Sequence, residues 1–414
     1  MKFLNLKLIL LFLKLMISNN NEITITVNGT ENQKILSDEF KNTLPSEIII
    51  NDNNPQNFEN IIINLDRDTN IITLKWNENN ITSSSAMFKD LTNIISIDLS
   101  NFDSSKIKDM SYMFSNCSSL VSLDLSNLNT TSVLNMEFIF SHCTSLISLN
   151  LNNLDTSSVI NIRSMFFDCP YSYSLDLSNF NTSKVESMHH LFYKCFSIKI
   201  INLDNIDTSK VTNMVGMFED CYKLTSLNLS SFNTSQVETM YAMFNKCNSL
   251  TSLNISNFDT SKISSMGLMF RGCKILTSLD LSNFDTSKVT QMHSMFSGCN
   301  NLKELNLRNF NTSSVINIEE MFINCISLTS LDLSNFNIEN ITDMSYMFSG
   351  CSNLTTLDLS NFDTSNTLNM KNMFTNCNSL ISLNLSHFNV SLINNTENMF
   401  KDVIRFKKFK FFKY

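Results

Sequence analysis

CSNLTTLDLSNFDTSNTLNMKNMFTN, the stretch from Cys351 to Asn376, is one turn of a pattern that decides the fold. Its cysteine recurs every 26 residues, from Cys117 to Cys377, eleven times without an insertion or deletion. A fixed period of this length signals stacked supersecondary units rather than a globular domain built around a pocket. The shared frame is C-x2-L-x2-L-x-L-S-x-F-x-T-S-x-V-x2-M-x2-M-F-x2. Leu91 and Val403 take the cysteine position at either end, so twelve complete units run from Leu91 to Asp402. Residues 65–90 read as a worn, capping copy, because Leu65, Ile71, Trp76, Ile81, Met87 and Phe88 fall on apolar positions whereas Asp68 and Thr73 break the frame. Residues 19–64 lie outside it. There EITITVNG and EIIIND predict two strands of an N-terminal cap over the open sheet edge.

Within one unit, SLDLSN alternates apolar and polar residues, as a strand with one buried face requires. The following V-x2-M-x2-M-F spaces apolar residues at i, i+3, i+6 and i+7, which predicts one or two helical turns on the other side. The expected fold class is therefore an α/β repeat solenoid: twelve 26-residue units, with a parallel β-sheet on one face and short helices on the other. The methionine column running from Met110 to Met370 accepts Ile162 and Ile318, which marks it as core rather than sulfur chemistry.

With MF-x2-C-x2-L ahead of it, L-x2-L-x-L-S-x-F resembles the leucine-rich repeats of BspA-type surface proteins. All twelve units end their M-x2-MF segment in phenylalanine, from Phe114 to Phe400. The resemblance implies a secreted or surface-displayed protein engaged in adhesion or partner contact, without catalysis.

Composition is that of a body with enough apolar surface for a continuous core. The chain has 414 residues, of which 43% are hydrophobic and only 16% charged, so Asn, Ser and Thr must supply the turn chemistry. MKFLNLKLILLFLKLMIS, residues 1–18, joins a basic start to a short apolar run and resembles a secretory signal peptide. The formal charge of -8 becomes -11 if Lys2, Lys7 and Lys14 leave with it, and an acidic body without a basic stripe is a poor nucleic-acid ligand. The exception is the tail 403–414, where Arg405, Lys407, Lys408, Lys410 and Lys413 interleave with aromatic residues. It reads as a cap on the last repeat or, alternatively, as the one segment able to touch a membrane.

No catalytic constellation is visible: His142, His189, His190, His293 and His387 are dispersed among freely varying positions. No cofactor or metal motif is present either, since the cysteines form no C-x2-C and have no paired histidine. The equivalent cysteines read as buried core thiols rather than a disulfide framework. The candidate binding face is the exposed side of the strands, with Asp98, Asp124, Asp176, Asp280, Asp332 and Asp358 at its centre and Glu304 and Arg308 as departures. Three readings of that face stand open: a hydrated polar ladder, a multivalent adhesive surface for an extracellular protein or polysaccharide, and a cation-binding carboxylate row. Fourteen N-x-S/T sequons occur, and Asn129, Asn181, Asn233, Asn311 and Asn389 share one register as candidate glycosylation sites. The expected function is a non-enzymatic, secreted or cell-surface interaction protein, with an intracellular interaction scaffold as the alternative.

Overall fold

The computed structural model describes residues 21–77, 80–169, 174–405 and 408–410; the expected signal segment and residues 411–414 lie outside them. The chain opens with β1 (Asn21–Asn28), β2 (Glu31–Lys34), β3 (Glu47–Ile50), β4 (Gln56–Asn57), β5 (Ile62–Leu65) and β6 (Thr69–Trp76). In β1 the side chains of Ile23, Ile25 and Val27 are buried while their neighbours are half-exposed, the period-2 pattern of a strand with one face in a core. β1 pairs antiparallel with β6 on one side and with the first repeat strand, β7 (Ile94–Asp98), on the other. The first repeat edge is thus covered by a partner strand rather than left open. Residues 65–90 divide between the two regions. β6 belongs to this antiparallel sheet, whereas Ser83 bridges Asp109 in parallel and Phe88 stacks on Phe114, so the frame is entered near Ile81.

The repeat strands that follow are β8 (Ser122–Asp124), β9 (Ser148–Asn150), β10 (Ser174–Asp176), β11 (Ile200–Asn202), β12 (Thr356–Asp358), β13 (Ser382–Asn384) and β14 (Lys408–Lys410). Each is three residues long, confined between a turn that closes Leu120 N–H on Cys117 C=O and a turn at Asp124 in β8's unit. Sheets of seven, two, three and two strands result, the largest in the order β4-β3-β6-β1-β7-β8-β9. Between β11 and β12 the corresponding L-x-L segments form no strand, and units there join by isolated bonds such as Thr251 N–H to Thr225 C=O at 3.2 Å.

The expected α/β solenoid, with a continuous parallel sheet on one face and helices on the other, is not formed. Among the described residues there is no helix. An α-helix needs every N–H bonded four residues back within its own segment. In the M-x2-MF segment the N–H groups alternate instead. Met110, Tyr112, Phe114 and Asn116 donate to Asn135, Glu137, Ile139 and Ser141 of the next unit, while Met113, Ser115 and Cys117 close turns onto Met110, Tyr112 and Phe114. Tyr112 and Asn116 sit at φ 57° and 59°, a left-handed conformation that interrupts any right-handed helix. The same two positions are left-handed in every unit, and the one before the cysteine is filled mostly by residues that tolerate it, such as Asn116, Asp168, Gly298 and Gly350. The other, five residues before the cysteine, carries varied side chains, among them the branched aliphatic Leu268 at φ 60°. Leu268→Asn is therefore expected to stabilise the protein by about 1 kcal/mol, read as a raised urea midpoint; an unchanged or lowered midpoint would contradict the strain.

The core is a set of columns rather than a cluster. Thirteen phenylalanine rings, Phe88 through Phe400, stack at centroid spacings of 5.5–6.1 Å and within 19° of parallel. Beside them the eleven cysteines are buried thiols, each donating to the carbonyl of the phenylalanine 29 residues earlier, as Cys247 does to Phe218 at 3.2 Å. Burial pushes the thiols up, to about 12 for Cys143. An aromatic disulfide reagent should leave all eleven unmodified in the native protein and titrate eleven on unfolding. Rapid native reaction, or a shortfall after unfolding, would contradict this arrangement.

Threonine completes the interior. Thr234, 1% exposed, accepts the Asp259 N–H at 2.8 Å and donates to the Asp259 C=O at 2.9 Å. Thr156 and Thr182 treat Asn181 and Asp207 the same way. One hydroxyl thus satisfies both backbone groups of a residue in the next unit, which explains the frame's T in F-x-T-S.

Candidate functional site

The strand-face carboxylates have a structural occupation. Asp98, Asp124, Asp176, Asp280, Asp332 and Asp358 each accept, through Oδ1, the backbone N–H two residues on, at 2.9–3.1 Å. Asn150, Asn228 and Asn254 do the same, so Asp and Asn are interchangeable here. Hydrogen bonds from Ser126 hold the Asp124 carboxyl below its usual range, and those from Ser334, with Arg308 beside it, hold Asp332 at about 2. Arg308 Nε donates to Asp332 Oδ2 at 2.9 Å, while Glu304 is exposed. A shallow groove of about 600 Å³ runs over Asp332, Asp358 and Asn384, with serines and Thr356 between them. Each of these carboxylates spends one oxygen on its own turn.

Two further corners of each unit turn in the same manner. Asn129 accepts from Thr131 N–H and Asn135 from Glu137 N–H. The sequon asparagines Asn129, Asn181, Asn233, Asn311 and Asn389 occupy the second corner, exposed, with Oδ1 engaged by the backbone two residues on. In Asn129, Asn181 and Asn311 the sequon hydroxyl donates to the same oxygen at 2.7 Å. The abundance of Asn, Asp and Ser is thereby accounted for by turns.

Chemical variety is concentrated elsewhere, on the outer side of the M-x2-MF-x2-C segments. There the left-handed turns project side chains that differ from unit to unit. Tyr112 stacks on Phe138 at 4.9 Å, Phe138 meets Phe167 at 6.3 Å, and Phe167 meets Tyr193 at 5.0 Å and His142 at 4.7 Å. His190 continues the row, stacking on Tyr193 at 4.6 Å and on His189 at 4.0 Å. Seven half-exposed rings thus contact one another across four units. Cations lie over them: Lys89 over Tyr112, Arg163 over Phe138, and Lys194 over Phe167 and Tyr193. Arg163 also donates from Nε to His189 Nδ1 at 3.1 Å and lies 3.6 Å from Glu137. At the far end Asn245 donates to Glu219 at 2.7 Å, and Lys246 lies 3.0 Å from the buried Asp220.

Burial, with His189 and Arg163 adding positive charge, lowers His190 to about 4, although Glu219 Oε2 stands 3.7 Å from its Nε2. Burial also raises Glu219, so acidification meets a neutral imidazole beside a weakened carboxylate, with His189, Tyr193 and Arg163 around them. A histidine whose folded value is depressed takes up its proton first in the unfolded chain. Its contribution is complete above the unfolded value near 6.5 and is lost as pH falls toward 4. His190→Gln should therefore reduce the stability difference between pH 7 and pH 5, by about 1 kcal/mol after allowance for partial exposure, measured by urea unfolding at both pH values. An identical pH dependence in the variant would refute that role.

The histidines, dispersed in sequence, come together in the structure: His142, His189 and His190 join one aromatic face, apart from the strand-face aspartates. The legible signal was column variability. The strand centre reads Asp or Asn throughout, whereas the position six before the cysteine reads Ser111, Glu137, Arg163, His189, Val215 and Tyr241. Among the described residues no three His, Cys, Asp or Glu side chains come together as a metal-binding set, and no helix is long and apolar enough to cross a membrane. A sequence family described as "Mycoplasma protein of unknown function, DUF285" matches residues 56–175, 169–277, 248–331 and 327–410. No curated protein matches the chain.

Proposed function

The chain belongs to the DUF285 repeat family, and we propose that it is a non-catalytic interaction protein, acting at the cell surface or in the medium, whose contact surface is the aromatic face from Tyr112 to Tyr193. The observation carrying this reading is the row of seven touching rings flanked by Lys89, Arg163 and Lys194. Half-exposed Tyr, Phe and Arg are the residues that dominate binding energy at protein interfaces, whereas small Ser and Asn residues contribute little. The resemblance to BspA-type surface proteins and the signal-like start at residues 1–18 support the extracellular location. The sequon asparagines would carry sugar along a separate edge in a cell that glycosylates its exports.

Two experiments test the reading. Staining before and after permeabilisation, with N-terminal sequencing, should find the protein outside the cell with a new start near residues 18–22. Signal only inside, with Met1 intact, would leave the intracellular scaffold, which eleven unpaired thiols also suit. Labelled protein carrying Arg163→Glu and Tyr193→Ser should lose about tenfold or more in binding to intact source cells, whereas Asp124→Asn with Asp280→Asn should not. Equal binding by all three proteins would remove the aromatic face from the reading.

A further inference from the structure

From Glu137 to Lys246 the ion pairs along the aromatic face share one polarity. The side chain of Arg163 is 47% exposed and that of its partner Glu137 20%; Lys246 is 42% exposed and its partner Asp220 6%; His142 is 45% exposed and its partner Asp168 26%. In each pair the carboxylate is the inner member and the basic group the outer one. At the Tyr112 end the order reverses, with Glu39 at 58% outside Lys89 at 23%. Lys194 adds a cation that pairs with no carboxylate among the described residues. A chain of formal charge -8 thus turns a positive layer of Arg163, Lys194 and Lys246 outward here, over carboxylates that lie beneath it.

The rings beside these cations have little free face. Phe138 lies between Tyr112, parallel within 10° at 4.9 Å, and Arg163, 5.7 Å from its centroid. Tyr193 has His190 against it within 23° at 4.6 Å and Lys194 5.3 Å from its centroid. Phe196 and Tyr222 stack on each other at 5.2 Å. Rings stacked in this way turn their edges outward, and the edge is the positive rim of an aromatic quadrupole. Nucleobases, and sugars likewise, grip aromatic side chains by the ring face, which neighbouring units already occupy. A peptide needs no ring face, because its apolar side chains fill the gaps between edges while its carboxylates meet the cations.

Resting on the contact surface described above, we propose that its occupant is an acidic segment of a protein partner, with carboxylates on Arg163, Lys194 and Lys246 and aliphatic side chains against the ring edges. Lys194 is the strongest single attachment point, since Arg163 and Lys246 already share their charge with Glu137 and Asp220. The inner carboxylates hold the other two cations in place and keep the empty face from repelling itself.

Fluorescence anisotropy of the full chain with a labelled peptide of alternating Glu and Leu tests this. The acidic peptide should bind at least about tenfold more tightly than one of alternating Lys and Leu, and more tightly than charge-matched oligogalacturonate or oligothymidylate, with an affinity that falls as salt rises. Lys194→Glu should weaken it about tenfold and Lys194→Arg should preserve it, while Lys303→Glu, on the strand face, changes it by less than about twofold. Lys194 has no carboxylate to leave unpaired, so its variants fold, which their urea midpoints check. Equal binding of the acidic and basic peptides, a sugar or nucleotide bound as tightly as the acidic peptide, or Lys194→Glu no weaker than Lys303→Glu would each overturn the acidic partner. If the protein carrying Arg163→Glu and Tyr193→Ser still fails to bind source cells, such a result strikes the acidic partner alone and leaves the contact surface. Undiminished cell binding by that protein strikes the surface and the acidic partner together.

Discussion

Phe244→Ala should cost about 3–5 kcal/mol of stability, one of the largest losses available to a single side chain in this chain. Phe244 is fully buried and lies between Phe218 and Phe270 at 5.7 and 5.8 Å, nearly parallel to both. Truncation removes two ring contacts and opens a void that neighbouring units cannot fill. Their spacing is fixed by backbone bonds such as Phe244 N–H to Met269 C=O at 2.9 Å and Phe218 N–H to Met243 C=O at 2.9 Å. The ring column and the backbone ladder therefore hold each other's spacing, and relaxation of one strains the other. Urea unfolding followed by circular dichroism measures the effect, with Phe196→Ala as a control because Phe196 is 37% exposed and lies outside the column. A loss for Phe244→Ala no greater than for the control would mean that the column is not what binds one unit to the next.

Thr234→Val should follow, at about 2–4 kcal/mol, although valine nearly matches threonine in shape. The hydroxyl serves both the N–H and the C=O of Asp259, so its removal leaves two backbone groups unpaired at a site where Thr234 is 1% exposed. The chain contains its own counter-example. Ile338 stands at the threonine position with 2% exposure, and the Asp363 N–H opposite it receives no hydroxyl. Ile338→Thr is the reciprocal substitution and should recover about 1 kcal/mol, the net worth of a typical hydrogen bond. If Thr234→Val and Ile338→Thr both left the unfolding midpoint unchanged, the threonine column would be a packing choice and not a hydrogen-bonding one.

The two substitutions probe columns with different legibility. That phenylalanine, cysteine and leucine face inward follows from their 26-residue period together with their apolar character, because stacked units bury one continuous apolar core. The predicted strands at EITITVNG and EIIIND and the buried cysteines were legible for the same local reason: alternation and apolarity are properties of the segment itself. The roles of threonine and of the strand-face aspartates were not. Polar periodicity reports a surface or a turn equally well, and the distinction lies in which backbone N–H each oxygen meets.

The M-x2-MF segment shows the limit most plainly. Its apolar spacing fits a helix, but the same inward positions are reached by alternating right- and left-handed turns whose N–H groups bond to the next unit. Spacing determines which side chains are buried and carries no record of where the backbone hydrogen bonds go. That choice is made between units 26 residues apart, and with it the choice of face. Once left-handed turns replace the helix, Tyr112, Phe138, Arg163, His190 and Tyr193 are brought into one contiguous surface, while the strand carboxylates are drawn into their own turns. The sequence by itself determined the period, the buried columns and the composition of the cap; only the tertiary structure decided the backbone path and the location of the diversified face, because both are settled by hydrogen bonds and ring contacts between neighbouring units.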